Sequence, residues 1–144
     1  MKEKLIEKLW DYIIENNPEL MFSLQEDYSV RKYLDHKIGT LNDQLEQWQE
    51  QGLPNETLEE LALQELTKDL KPSRFHYVRS ILEEEFKPGF LRFKEAGTLT
   101  YQVVTIIDSC KEAFEAIGFS EQNKNSKRLR DIITGIITKH LESK

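Results

Sequence analysis

A single cysteine, Cys110, stands in 144 residues, so no disulfide can close within one chain and no cysteine-based zinc cluster can form. Proline (4) and glycine (6) are scarce, which argues against many short strands and for helices joined by few breaks. Long apolar runs are missing as well. Val103-Val104, Ile106-Ile107 and Ile132-Ile133 are typical of those present, against the ~20 residues that span a bilayer. Met1 to Tyr12 carries Lys2, Glu3, Lys4, Glu7, Lys8 and Asp11, unlike the apolar region of a secretory signal. A cytoplasmic chain with no membrane partner is expected.

What is present is charge, unevenly spread. The net charge is -6. Residues 1 to 70 hold 7 Lys+Arg against 16 Asp+Glu, and residues 71 to 144 hold 13 against 10. The acidic first half should repel nucleic acid and acidic membranes, whereas the mildly basic second half need not.

The apolar residues recur at helical spacing throughout. Leu5, Ile6, Leu9, Trp10 and Ile13 predict a helix from about Lys2 to Glu15, ended by Asn16-Asn17-Pro18. Val30, Leu34, Ile38, Leu41, Leu45 and Trp48 predict one long helix, with Ser29 as cap, Gly52 as stop and Gly39-Thr40 as a weak point. Asn55 is placed to cap a third helix with Leu58, Leu61, Ala62, Leu66 and Leu70 inward. Lys71-Pro72 breaks it, and Ser73 is placed to cap a fourth that buries Phe75, Val78, Ile81, Leu82 and Phe86. Lys87-Pro88-Gly89 reads as a turn, and residues 90–97 fit either a helical turn or a loop. A fifth helix is expected from Thr98 to Ile117, closed by Gly118. After a polar loop, a last helix from Ser126 turns Leu129, Ile132, Ile133, Ile136, Ile137 and Leu141 inward. The expected fold is all-α: one helical domain over 1–144, an orthogonal or up-down bundle of about six helices around one core.

Motifs that carry chemistry are few. His36, His76 and His140 show no metal-ligand spacing, and neither metal nor cofactor is expected. Cys110, among Ile106, Ile107 and Phe114, reads as a small buried hydrophobe rather than a nucleophile. Neighbours on a helix diverge by about 100°, so Glu83-Glu84-Glu85 reads as a solvated face. Its position against the negative end of a helix dipole suits a basic partner. There is no glycine-rich phosphate loop, G-x-S-x-G or H-E-x-x-H sequence, and an enzyme is not expected.

Three stretches could touch a partner. Arg74, His76 and Tyr77 lie on exposed arcs near the start of the fourth helix, where a DNA-reading helix would place them. The acidic helix before them favours a plain helical hairpin instead. Arg92 and Lys94 alternate with Phe90 and Phe93, a pattern that can grip a single strand or tuck a loop onto the core. Lys127, Arg128 and Arg130, with Lys124, form a second basic cluster diluted by Glu121 and Asp131.

Glu60-Leu61-Ala62, Leu66, Leu70, Ser73-Arg74-Phe75, Ile81-Leu82 and Glu85-Phe86 are similar to the central signature of a known family. Thr134-Gly135, Ile137 and Leu141-Glu142 are similar to its ending. That family is a domain-of-unknown-function group of short helical proteins from Bacteroides-type bacteria, often carried near conjugative elements. The sequence departs from it at Pro72 and Glu83, where aromatic residues are expected. The resemblance implies an all-helical fold, a bacterial cytosolic setting and no catalytic residues. The expected function is a non-enzymatic protein-interaction module with a protein partner. The alternative is a nucleic-acid-binding accessory protein of a mobile element.

Overall fold

The computed structural model describes residues 1–143, and the last position of the expected 1–144 domain, Lys144, lies outside them. The fold is all-α, with no strand among the described residues. Contacts gather the helices into two compact units, Met1–Leu70 and a second that starts at Lys71. The boundary coincides with the change from acidic to basic sequence. Buried side chains accordingly form two clusters where one core was expected.

The first unit contains α1 (Lys2–Asn16), α2 (Pro18–Glu26), α3 (Val30–Gly39), α4 (Asn42–Glu50), α5 (Asn55–Thr67) and a 3-10 turn (Lys68–Leu70). α1 carries its core stripe as expected: Leu5, Ile6, Leu9 and Ile13 are buried with Leu34 and Ile38 of α3 and Ala62 and Leu66 of α5. Pro18 ends nothing by itself. It opens α2 at the first helical position, where its missing N–H costs no hydrogen bond. The single long helix expected from Val30 to Trp48 is two helices, broken at Thr40-Leu41. The Thr40 hydroxyl donates to the Lys37 carbonyl at 2.6 Å, a local bond that competes with the helical ladder next to Gly39. Ser29 and Asn55 do not cap through their side chains, and Pro54 holds the cap position of α5.

Glu59 of α5 is buried, yet its carboxylate meets Lys8 at 2.9 Å and Lys4 at 3.2 Å, both from α1. The Lys8 hydrogen bond is the larger influence holding its carboxyl below the ordinary value, with Lys4 adding to it against the opposing effect of burial. An unfolded glutamate titrates near pH 4.3, so the unfolded chain takes up this proton first as pH falls. The stability Glu59 contributes is therefore complete above that pH and lost on descent through the lower folded value. Glu59→Gln is expected to flatten the acid limb of urea midpoints measured between about pH 5 and 3. An unchanged acid limb would contradict the pairing.

The second unit contains α6 (Arg74–Glu85), α7 (Lys87–Glu95), α8 (Leu99–Ser109), α9 (Lys111–Ile117) and α10 (Lys127–Glu142). That makes ten α-helices among the described residues rather than about six. Ser73 and Ser126 cap as expected: their hydroxyls accept from the His76 N–H at 3.1 Å and the Leu129 N–H at 3.3 Å. The Lys87-Pro88-Gly89 turn is instead the first turn of α7, because proline near a helix start is pre-set in φ and forfeits no bond. Residues 90–95 are helical, and Gly97, at φ 74°, supplies the left-handed residue after them.

The fifth helix expected from Thr98 to Ile117 breaks at Cys110 into α8 and α9. Thr105 and Ser109 donate back to the Tyr101 and Thr105 carbonyls at 3.0 and 3.4 Å. Such back-bonding loosens the ladder and bends the helix. Gly118, at φ 63°, closes α9 as the sequence predicts.

Candidate interaction surface

The core of the second unit sets every side chain of interest. Phe75, Val78, Ile81 and Leu82 of α6 pack with Phe90 and Phe93 of α7, Val103, Ile106 and Ile107 of α8, Phe114 of α9, and Leu129, Ile133 and Ile137 of α10. Cys110 is buried within this cluster, and burial pushes its thiol up to about 12. No group of three His, Cys, Asp or Glu residues is disposed to hold a metal ion among the described residues. Nor is any helix among them long and apolar enough to cross a membrane.

The residues singled out from the sequence fall into separate places. Arg74 and Tyr77, one turn apart on α6, both reach Phe114. The Arg74 guanidinium lies 5.0 Å from the centre of that ring, within cation–π range. Tyr77 meets Phe114 and Phe119 edge-on at 5.8 and 5.1 Å, and Phe114 and Phe119 are 4.9 Å apart. Between them, His76 points outward, exposed, with its ring 5.4 Å from that of Phe75.

The Tyr77 hydroxyl is buried with no hydrogen-bond partner among the described residues. Burial raises its pKa, the nearby Arg130 charge lowers it, and Cys110 adds a small rise. An orphaned buried hydroxyl costs roughly 1–3 kcal/mol. Tyr77→Phe, which keeps the ring triangle, is thus expected to raise unfolding stability by about 1 kcal/mol. A loss of stability in urea denaturation would show that the hydroxyl has a partner.

Arg92 and Lys94 lie on α7, beside the C-terminal end of α10. A Cβ on Gly89 would stand 3.3 Å from a Leu141 methyl and 4.0 Å from the Arg92 guanidinium, and Phe93 stacks edge-on to His140 at 6.4 Å. Lys127, Arg128 and Arg130 lie at the other end of that helix. Twelve residues separate Arg128 from His140, about 18 Å along the axis. The two basic groups therefore do not share one patch.

Two of the three cations at the start of α10 are already matched within the chain. Arg130 grips Glu84 at 2.8 Å and Glu85 at 3.0 Å, and these carboxylates hold its guanidinium charged. Lys127 faces Asp131 at 3.9 Å, and neighbouring Lys124 meets Glu121 at 2.7 Å. Glu83 has Lys87 at 3.8 Å and Arg79 at 3.9 Å. The carboxylate run at the end of α6 thus has its cations in cis, so its charge needs no external basic partner. Each exposed pair adds little stability.

Arg128 differs: it forms no ion pair or hydrogen bond among the described residues. It borders a half-open groove of about 270 Å³ between α9 and α10, lined by Ala113, Ala116, Ile117, Arg128, Leu129 and Ile132. Ile132 was expected inward but is 45% exposed on the groove. The reason is stripe width. Leu129, Ile133 and Ile137 fill the buried face of α10, and Ile132 falls to its edge. Small Ala113 and Ala116, one turn apart on α9, leave the floor open.

The protein is thus all-helical, and α9 and α10 form an apolar groove bordered by Arg128, which has no ion pair among the described residues. The chain belongs to the family described as Domain of unknown function (DUF1896), which it matches over residues 7–144. No curated protein and no solved structure matches it.

Proposed function

We propose that this protein is a non-enzymatic interaction module of the bacterial cytosol, and that the groove between α9 and α10 is where it takes a partner. The observation that carries this reading is Arg128, without a counter-charge among the described residues, beside exposed Ile132, while Lys124, Lys127 and Arg130 are all matched. An exposed aliphatic side chain and an unpaired cation one helical turn apart suit a helix that offers an apolar anchor and a carboxylate at the same spacing. The anchor would cover Ile132 and the alanine floor, and the carboxylate would neutralise Arg128.

A role on nucleic acid has weaker support. It needs many cations on one face to release counterions. Here most of the basic residues near the start of α10 are neutralised, and Arg92 and Lys94 stand on α7 beside the opposite end of that helix. The test is affinity capture with the full chain and its Arg128→Glu variant. A protein held by the wild type and lost from the variant supports the reading. Equal capture by both, or retention on DNA that Arg128→Glu leaves intact, overturns it.

A further inference from the structure

We infer that the groove of one molecule receives α1 of a second copy of this chain. The inference rests on the groove reading and names its occupant from a matching surface in the first unit. On α1, Ile14 is 42% exposed, and Glu7, Asp11 and Glu15 are exposed around it. Glu7, Asp11 and Ile14 follow one another at steps of four and three and therefore share one helical stripe. The cations of the same helix are engaged elsewhere: Lys4 and Lys8 hold Glu59, and Lys2 faces Asp35 at 3.8 Å. Glu7, Asp11 and Glu15 form no ion pair among the described residues. This face is an aliphatic anchor in an uncompensated acidic field.

The two surfaces are complementary in spacing as well as sign. Ile132 and Arg128 are one turn apart on α10, and Ile14 and Asp11 are one turn apart on α1. A turn rises about 5.4 Å in both. Ile14 can seat on Ala113 and Ala116 against Ile132 while Asp11 reaches Arg128. The wider charge difference between the acidic first half and the basic second half favours the same encounter. One groove is a small contact, so association should be weak and sensitive to salt.

Sedimentation velocity of the purified full chain tests this, over roughly 10 μM to 1 mM, the range of weak affinities. The wild type should shift from monomer to larger species as concentration rises, less so in about 0.5 M salt. Arg128→Glu and Asp11→Arg change exposed residues only and should each weaken association at least about tenfold. Combining them restores opposite charges and should recover it. A wild type that stays monomeric throughout, single variants that associate like the wild type, or a double variant that does not recover would each overturn the inference. A monomeric wild type that still captures a foreign protein in an Arg128-dependent way would overturn the occupant and leave the groove standing.

Discussion

Replacing Phe114 with alanine is expected to cost about 3–5 kcal/mol of folding stability. Phe114 is fully buried and is the point at which three other side chains of the second unit meet: Tyr77, Phe119 and Arg74. Truncation removes a large apolar burial and leaves a cavity between α6 and α9. It also strips the edge-on ring pair with Tyr77 and the tilted one with Phe119, worth about 0.5–1.5 kcal/mol each beyond burial. The Arg74 guanidinium loses its ring and is left over an apolar void. Urea denaturation followed by far-ultraviolet circular dichroism would measure the loss. A change below about 1 kcal/mol would show that the ring cluster is not a keystone of this unit. Leu or Met at the same position should recover part of the loss, since either refills much of the volume.

The second large effect concerns Cys110. Its side chain is fully buried and its thiol is pushed up to about 12 by desolvation. A free thiol titrates near 8.5, and only the thiolate reacts. At pH 8, alkylation by iodoacetamide should therefore run at least a thousandfold more slowly than for a free cysteine, roughly the ratio of thiolate populations. Steric exclusion at the α8–α9 junction slows it further. In denaturant the rate should rise to that of an ordinary thiol. Phe114→Ala should also hasten labelling, because it lowers the free energy of opening. Rapid alkylation of the native protein would show that the junction breathes or that the thiol is not enclosed.

The features legible in the sequence are those set by chemistry within a few residues. Ser73 and Ser126 cap their helices because a hydroxyl at that position meets an N–H two or three residues on. Gly118 closes α9 because the left-handed conformation there suits glycine. The burial of Cys110 and of the α1 stripe followed from apolar spacing alone. What spacing hid were the breaks. At Thr40-Leu41 and at Cys110 the three-and-four rhythm runs on across the interruption, since both flanking helices pack the same way round onto one cluster. Side-chain hydroxyls turned onto the backbone accompany both breaks, a feature carried by Thr40, Thr105 and Ser109 and not by the apolar pattern. α2 escaped notice because its nine residues bury only Pro18 and Leu24.

The groove was less legible still. Arg128 looked like one member of a basic cluster, yet its neighbours find carboxylates 45 or 46 residues away on α6 or close by on α10. Which cation is left over depends on tertiary contacts that no local window shows. Ile132 likewise looked like core by spacing, and only the width of the buried stripe on α10 places it outside. Sequence could have hinted at the site through small Ala113 and Ala116 one turn apart, which open a floor for something to enter.

Site-specific cross-linking tests the groove most directly. A photoreactive phenylalanine at position 132 is compared with one at Tyr101, which is 64% exposed on α8. Cross-links from position 132 should map to a helix bearing an aliphatic residue and a carboxylate one turn apart and be lost on Arg128→Glu, with little capture from position 101. Equal capture from both positions, or capture from 132 that persists in Arg128→Glu, would contradict it.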